Sequence, residues 1–330
     1  MRRREFIVFL SCSALAYPSV ALAQQAGKQT KIGWLSPDAR DDAIPAKMLQ
    51  TFRQRLEHLG HIEGRDIAIE FRYADHNYDR LPALAVELVE QKVDIIVTMT
   101  TPATVAARKA TSTIPIVAIS ISDPVGQGLV ESLARPGGNV TGLTFSVGLD
   151  IFSKGLEFLK EAVPGLQTVA FLVNPANPVH KAVASQMEAV ALALTLRAGV
   201  FQARRPEEIT TAFQAIAQAH YEAVCVVADA LFGSERRQIA KLAMMHRLPS
   251  MHQVRQEAVA GGLMSYGPDA TEFYRRAATY VDAIIKGAKP AELPFQQPTK
   301  FELVINMKAA RALGLTVPPS LIVLADDVLE

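Results

Sequence analysis

The chain has 330 residues, 49% of them hydrophobic and 20% charged, which suits about two domains of ~150 residues each. Its formal net charge is +1 and becomes −1 once residues 1–23, with Arg2, Arg3 and Arg4 against Glu5, are set aside; neither value supplies the basic surface that nucleic acid or an anionic membrane requires. Two cysteines, Cys12 and Cys225, exclude a disulfide framework and a thiolate metal cluster.

Residues 1–23 read as a signal peptide: Arg2-Arg3-Arg4, an apolar run over 6–22, then the small-x-small triplet Ala21-Leu22-Ala23. Arg3-Arg4-Glu5-Phe6-Ile7 resembles the twin-arginine pattern without the lysine that follows it, so that route and the general secretory route both stand. Ser11, Ser13, Tyr17, Pro18 and Ser19 interrupt a run already short of the ~20 residues of a membrane anchor. The expectation is an exported chain, periplasmic and not membrane-embedded.

The mature chain alternates apolar strands with amphipathic helices. A strand at 31–36 precedes a helix at 46–59 with Met48, Leu49, Phe52 and Leu56 at helical spacing, and Gly60 closes it. Residues 66–73 alternate like a half-buried strand, a helix stripe follows from Leu81 to Val89, and 94–99 is a continuous apolar strand. Thr101 then reads as an N-cap with Pro102 at the first helical position. Strands at 114–122 and 139–146 lead into a seam at 135–153, after which the pattern repeats. Strands are expected at 168–173, 196–202, 223–228, 249–254 and 263–266, with helices at 151–162, 179–194, 206–219 and 234–246. A long helix at 271–286, a proline-rich connector, a strand at 301–307 and a small helix at 308–313 complete the chain.

These elements predict an α/β fold of two Rossmann-like lobes with parallel sheets and a ligand cleft between them. The expected division is 30–147 plus 267–290 for lobe 1 and 148–266 plus 298–330 for lobe 2.

Ligands of open α/β sheets bind outside the carboxyl ends of the strands. Those ends carry Ser36 and Asp38, Thr98, Thr100 and Thr101, then Ser120, Ser122 and Asp123; across the seam they carry Asn174 and Asn177, Asp229, and Tyr266 with Asp269. The set suits hydrogen bonds to a small polar ligand. Thr100 and Thr101 with the following helix amides suit an anion, although capping alone explains Thr101. Asp229 reads equally as partner of a ligand ammonium or as an N-cap or turn residue, and Asp123 before Pro124 as a turn residue. Trp34 reads as core, while Tyr266 is divided between core and ligand stacking. No nucleophile elbow, phosphate loop or zincin helix is present, and Gly126-Gln-Gly128 lacks the rest of a dinucleotide fingerprint. The seven histidines are scattered, so no cofactor and no metal are expected.

Specific stretches carry a resemblance: Gly33-Trp-Leu-Ser36, Ala110-Thr-Ser-Thr-Ile-Pro-Ile-Val117, Asp123-Pro124-Val125, Ala134-Arg-Pro-Gly-Gly-Asn-Val-Thr-Gly142 and Pro298-Thr-Lys-Phe-Glu-Leu-Val-Ile-Asn306. With Ala309-Ala-Arg-Ala-Leu-Gly-Leu315 and Pro318-Pro319-Ser320, they resemble the ABC-transporter substrate-binding family that includes tryptophan/tyrosine-type binding proteins. The resemblance implies a type I periplasmic binding protein that captures a small ligand, an aromatic or other amino acid among the candidates, and delivers it to an ABC permease with a cytoplasmic ATPase. For such a ligand it implies carboxylate binding at Thr100 and Thr101, ammonium binding at Asp229 or Asp123, and ring binding at Tyr266 or Trp34. A sensor subunit for a membrane receptor and an exported enzyme are the competing readings; no nucleophile and base can be paired for the latter.

Overall fold

The structure, a computed structural model, describes residues 29–146 and 150–330, so the signal peptide expected at residues 1–23 lies outside the described residues. Two sheets organise the chain. The first contains β1 (Thr30–Ser36), β2 (Ile67–Tyr73), β3 (Ile95–Met99), β4 (Ile116–Ser122) and β5 (Val140–Ser146), all parallel, in the order β2-β1-β3-β4-β5. Helices α1 (Ala43–His58), α2 (Leu81–Glu90) and α3 (Thr100–Ala110) connect them. Every residue of β3 is buried, as expected of a strand covered on both faces.

The second sheet contains β6 (Thr168–Val173), β7 (Arg197–Gln202), β8 (Ala223–Val226), β9 (Ser250–His252), β10 (Met264–Pro268), β11 (Phe301–Asn306) and β12 (Asp327–Leu329) in the order β12-β11-β10-β9-β8-β6-β7. Its helices are α4 (Asp150–Ala162), α5 (His180–Ala193), α6 (Pro206–Gln218), α7 (Ala230–Ser234), α8 (Arg236–Met245) and α9 (Arg255–Val259).

The chain crosses to the second lobe between β5 and α4. It returns with α10 (Ala270–Ile285), which packs against α1, β4 and β5 of the first lobe. Phe273, Ala277, Tyr280 and Val281 give α10 the buried stripe that this docking requires. The connector then runs along β5, where Thr144 N donates to Gln296 O (2.9 Å) and Thr141 Oγ1 to Leu293 O (2.7 Å), before β11 rejoins the second sheet. Helices α11 (Met307–Leu313) and α12 (Pro319–Leu324) follow β11.

One glycine is fixed by close packing. A Cβ on Gly142 would lie 2.0 Å from Ala118 O, and the residue has φ +145°, so the shifted β4–β5 register accepts no side chain there.

Several expectations need correction. β11 runs antiparallel to β10, because the chain has visited the first lobe between them and comes back along the sheet edge. The helix expected at 234–246 is α8, and a further short helix, α7, precedes it across Glu235. The strand expected at 249–254 stops at His252 and turns into α9. α12 and β12 were not expected; the latter is held by parallel pairing with β11 and by Leu303 N donating to Asp326 Oδ2 (2.9 Å).

Candidate functional site

The carboxyl ends of both sheets face each other around a cavity of about 190 Å³. From the first lobe, Asp38 follows β1, Thr100 and Thr101 open α3, and Ser120 and Ser122 end β4. From the second, Asn177 and His180 follow β6, Asp229 follows β8, and Gln253 and Glu257 lie at α9. The walls are mostly apolar: Met48, Met99, Phe145, Phe152, Phe273 and Tyr274. The Phe145 and Phe273 rings are 6.4 Å apart, and Tyr274 lies 6.3 Å from Trp34.

Backbone strain concentrates at these strand ends. Thr100 (φ +65°), Ser120 (φ +59°) and Asp123 (φ +46°) adopt the left-handed region without being glycine, a cost that persists where the surroundings over-determine it and that clusters at binding sites. The turn at Thr100 starts α3 two residues earlier than expected and makes Met99 the N-cap. Thr101 is therefore not a cap: its Oγ1 accepts from Ser122 N (3.0 Å) and ties the end of β4 to the start of α3. Thr100 Oγ1 is buried and has no hydrogen-bond partner among the described residues. Gln253 Nε2, Gln256 Oε1 and Glu257 Oε1, from cavity-lining residues of the other lobe, are in the same condition. Buried polar atoms are nearly always paired, so these four around one cavity leave bonding capacity open to a ligand or to water.

Two carboxylates of the cleft differ in how far the protein satisfies them. Asp229 is saturated. Its Oδ1 accepts from Tyr78 OH (2.8 Å), Asn174 Nδ2 (2.9 Å) and Leu231 N (3.1 Å), and its Oδ2 accepts from Asn177 Nδ2 (3.0 Å). Burial and then the Asp229 charge hold the Tyr78 hydroxyl well above its ordinary pKa, so it stays a donor. His180 lies 3.8 Å from Asp229, and burial lowers its pKa against the pull of that carboxylate. Asn174 N donates to its Nδ1 (2.9 Å) while Nε2 faces Ala228 O (3.2 Å), the pattern of a neutral ring protonated on Nε2. Asp38 has less support: Ser36 Oγ donates to its Oδ2 (2.7 Å). Burial pushes its pKa up to about 6, with the Ser36 bond and His76 opposing and the charges of Asp42 and Asp229 assisting.

The residues expected at the site therefore separate. Thr100, Thr101 and Asp229 line the cavity. Ser36 and Asn174 stand behind it, orienting Asp38 and Asp229. Asp123 lies outside the cavity lining and closes a turn by accepting from Gly126 N (2.9 Å). Tyr266 is outside as well, packed on Phe301 (5.8 Å) and Phe158 (5.2 Å), and Trp34 is buried among Phe52, Phe71 and Tyr274. The aromatic walls and the Gln253–Glu257 segment carry no local motif, because they come from β5, from faces of α4 and α10 and from the turn into α9, which only the tertiary fold brings together.

Asp38, Asp42 and His76 place one ligand atom each within 4.8 Å of one another, a donor set able to hold a divalent cation. Each has a protein partner: Ser36 for Asp38, Ala39 N (3.1 Å) for Asp42, and Asp42 Oδ2 (3.1 Å) for His76.

A largely apolar cavity between the strand ends of two α/β sheets defines a two-lobe small-molecule binding protein. The chain belongs to the ABC transporter substrate binding protein family, whose model matches residues 38–329. It is 25% identical over 269 residues, 82% of this chain and 77% of the relative, to a tyrosine-binding protein of Clostridioides difficile. A crystal structure of a conserved domain protein from Vibrio cholerae superposes with a TM-score of 0.85 at 26% identity, covering 91% of this chain and 100% of the other. An ABC domain from Streptococcus pneumoniae in complex with L-Trp gives a TM-score of 0.84 at 24% identity with the same coverage. The ligand-free, open structure of a Clostridium difficile substrate binding protein gives 0.64 at 23% identity, covering 91% of this chain and 99% of that one. Fold and family are thus those of substrate-binding proteins rather than enzymes. No helix among the described residues is long and apolar enough to cross a membrane.

Proposed function

We propose that this chain is the extracytoplasmic solute-binding protein of an ABC importer and that its cargo is an aromatic or similarly apolar amino acid. The observation that carries the reading is the cavity itself, aromatic on its walls, with buried unpartnered polar atoms contributed by both lobes. In this reading the α-carboxylate sits at the start of α3, where Thr100 Oγ1 and the first-turn amides offer donors and the helix end a partial positive charge. The ammonium pairs with Asp38, whose half-buried carboxylate has Ser36 as its side-chain donor, and Glu257 Oε1 supplies a further acceptor. The ring lies among Phe145, Phe152, Phe273 and Tyr274, where an offset or edge-on aromatic contact contributes ~0.5–1.5 kcal/mol beyond its buried area.

Asp229 takes the role of a cross-cleft strut in place of ammonium partner. The bound form is closed, since a ligand touching both lobes favours closure by its difference in affinity for the two states. Export through residues 1–23 to the periplasm and delivery to a membrane permease with its ATPase complete the proposal.

Isothermal titration calorimetry with L-tryptophan, L-tyrosine and L-phenylalanine tests it. The expected result is saturable one-to-one binding, accompanied by a change in emission of Trp34, the chain's one tryptophan, through its neighbour Tyr274, with the ligand recovered unaltered by mass spectrometry. Absence of binding to all three at millimolar concentration refutes the ligand class, and chemical conversion of the ligand refutes the binding-protein reading.

A further inference from the structure

The inner cavity is not closed on every side. Ile44 and Met48 of α1, Arg236 of α8, Gln256 of α9 and Ala270 of α10 line both it and an outer chamber of about 530 Å³. At about 190 Å³ the inner space is smaller than the ~300–1,000 Å³ usual for small-molecule sites, and the outer chamber adjoins it through these shared residues.

The chemistry changes along this passage. The inner walls are aromatic and thioether, whereas the outer chamber carries Lys47, Arg236, Arg237 and Arg255. Arg255 is neutralised by Asp327, and Glu302 is held by Lys300 (3.4 Å). Asp269, the other acid of the chamber, caps α10 through Thr271 N (2.8 Å). Lys47, Arg236 and Arg237 have no carboxylate partner among the described residues; Arg236 donates instead to Gly233 O (2.8 Å). Lys47 belongs to the first lobe and the two arginines to the second, so the positive charge converges from both sides of the cleft at the mouth of an apolar pocket.

We infer that the cargo carries an anionic group beyond its apolar body, received in the outer chamber by Lys47, Arg236 and Arg237. This rests on the inner cavity being the ligand site. The shared chemistry is a distal carboxylate, sulfate or phosphate on an aromatic amino acid. The guanidinium forks suit the planar or tetrahedral oxyanion, and the lysine adds a point charge from the opposite lobe. An anion there contacts both lobes and adds to the preference for the closed state. The same charges raise the encounter rate of an anionic ligand at low salt.

Calorimetry on the purified protein with matched pairs decides it: L-phenylalanine against 4-carboxy-L-phenylalanine, and L-tyrosine against O-sulfo- and O-phospho-L-tyrosine. The expected result is at least one anionic member bound tenfold or more tighter than its neutral parent, with the gain shrinking between 20 and 500 mM salt. The double variant Lys47→Gln, Arg237→Gln, both sites exposed and outside the inner cavity, should remove most of that gain and leave the parent's Kd unchanged. If the parents bind and every anionic member binds equally or more weakly, the inference is overturned while the binding-protein reading stands. A gain untouched by the double variant overturns the assignment of these residues, and failure of all ligands to bind removes both readings together.

Discussion

Removing one hydroxyl tests whether the closed cleft is latched by the protein itself. Tyr78, between β2 and α2, reaches across to Asp229 at the end of β8, and both partners are buried. In the open state each would be hydrated, so the bond counts only on closure. A hydrogen bond to a charged group contributes ~1.5–3 kcal/mol net, which corresponds to roughly 10–150-fold in the closing equilibrium. Tyr78→Phe keeps the ring in the core of the first lobe and leaves Asp229 with Asn174, Asn177 and Leu231 as donors, so folding is preserved. Where the free protein is mostly open, the whole loss falls on apparent affinity. The expected outcome is a ligand Kd raised about tenfold or more, with faster dissociation in stopped-flow and a larger radius of gyration at subsaturating ligand by small-angle scattering. A double-mutant cycle with Asp229→Asn isolates the pair. A Kd and dissociation rate within twofold of the parent protein, or a coupling energy of zero, would refute the latch.

Other consequences follow from the same geometry. Because burial raises the Asp38 pKa from 3.8 to about 6, its contribution to stability is complete below the unfolded value and is lost as pH rises through about 6. Asp38→Asn should therefore stabilise the ligand-free protein at pH 7–8, by up to ~3 kcal/mol and nearer ~1 kcal/mol with the water that reaches this half-buried group; denaturant melts at pH 4 and pH 8 should show the difference only at the higher pH. If Asp38 holds the ligand ammonium, affinity for an amino acid falls about tenfold per pH step below 6 in the parent protein and shows no such slope in Asp38→Asn, as read by calorimetry across pH 4–8. Phe273→Ala opens the cavity wall and should cost about 3–5 kcal/mol of stability, together with a loss of aromatic-ligand affinity that Tyr266→Ala does not share; equal losses in the two variants would place the ring elsewhere. Asp123→Ala should leave the Kd within twofold, since its carboxylate serves a turn, and a tenfold loss would return Asp123 to the site.

How much was legible in advance depended on where each signal resides. The span of β6 was readable residue by residue, because a parallel strand buried on both faces is a continuous apolar run bounded by polar residues. The C-terminus was not. Pro318-Pro319 reads as a turn yet opens α12, and β12 owes its extended form to pairing with β11 rather than to its own composition. Within the site, the kind of residue at the strand ends was predictable, but its partners were not. Thr100 and Ser120 are strained without being glycine, so nothing local announces them. Asp229 reads from sequence equally as a ligand group or a cap; the structure makes it the N-cap of α7 and also pairs it with a tyrosine 151 residues away, a partner no local signal announces.

In the proposed reading, that contrast between Asp229 and Asp38 lets one cleft hold its ligand and still open. A carboxylate already saturated by neutral donors gains little from a ligand, but it fixes the distance at which the lobes meet. A carboxylate left half-supported and partly protonated near pH 6 gains most when an ammonium arrives, because the incoming charge offsets a burial cost already carried by the fold. Reversing the two, by giving Asp38 further donors or stripping Asp229 of its own, would move binding energy from the ligand to the empty closed state or leave a buried charge exposed in it. In the proposed reading the arrangement leaves a deficit that a ligand's cationic group fills, beside an apolar wall that selects what the cation is attached to.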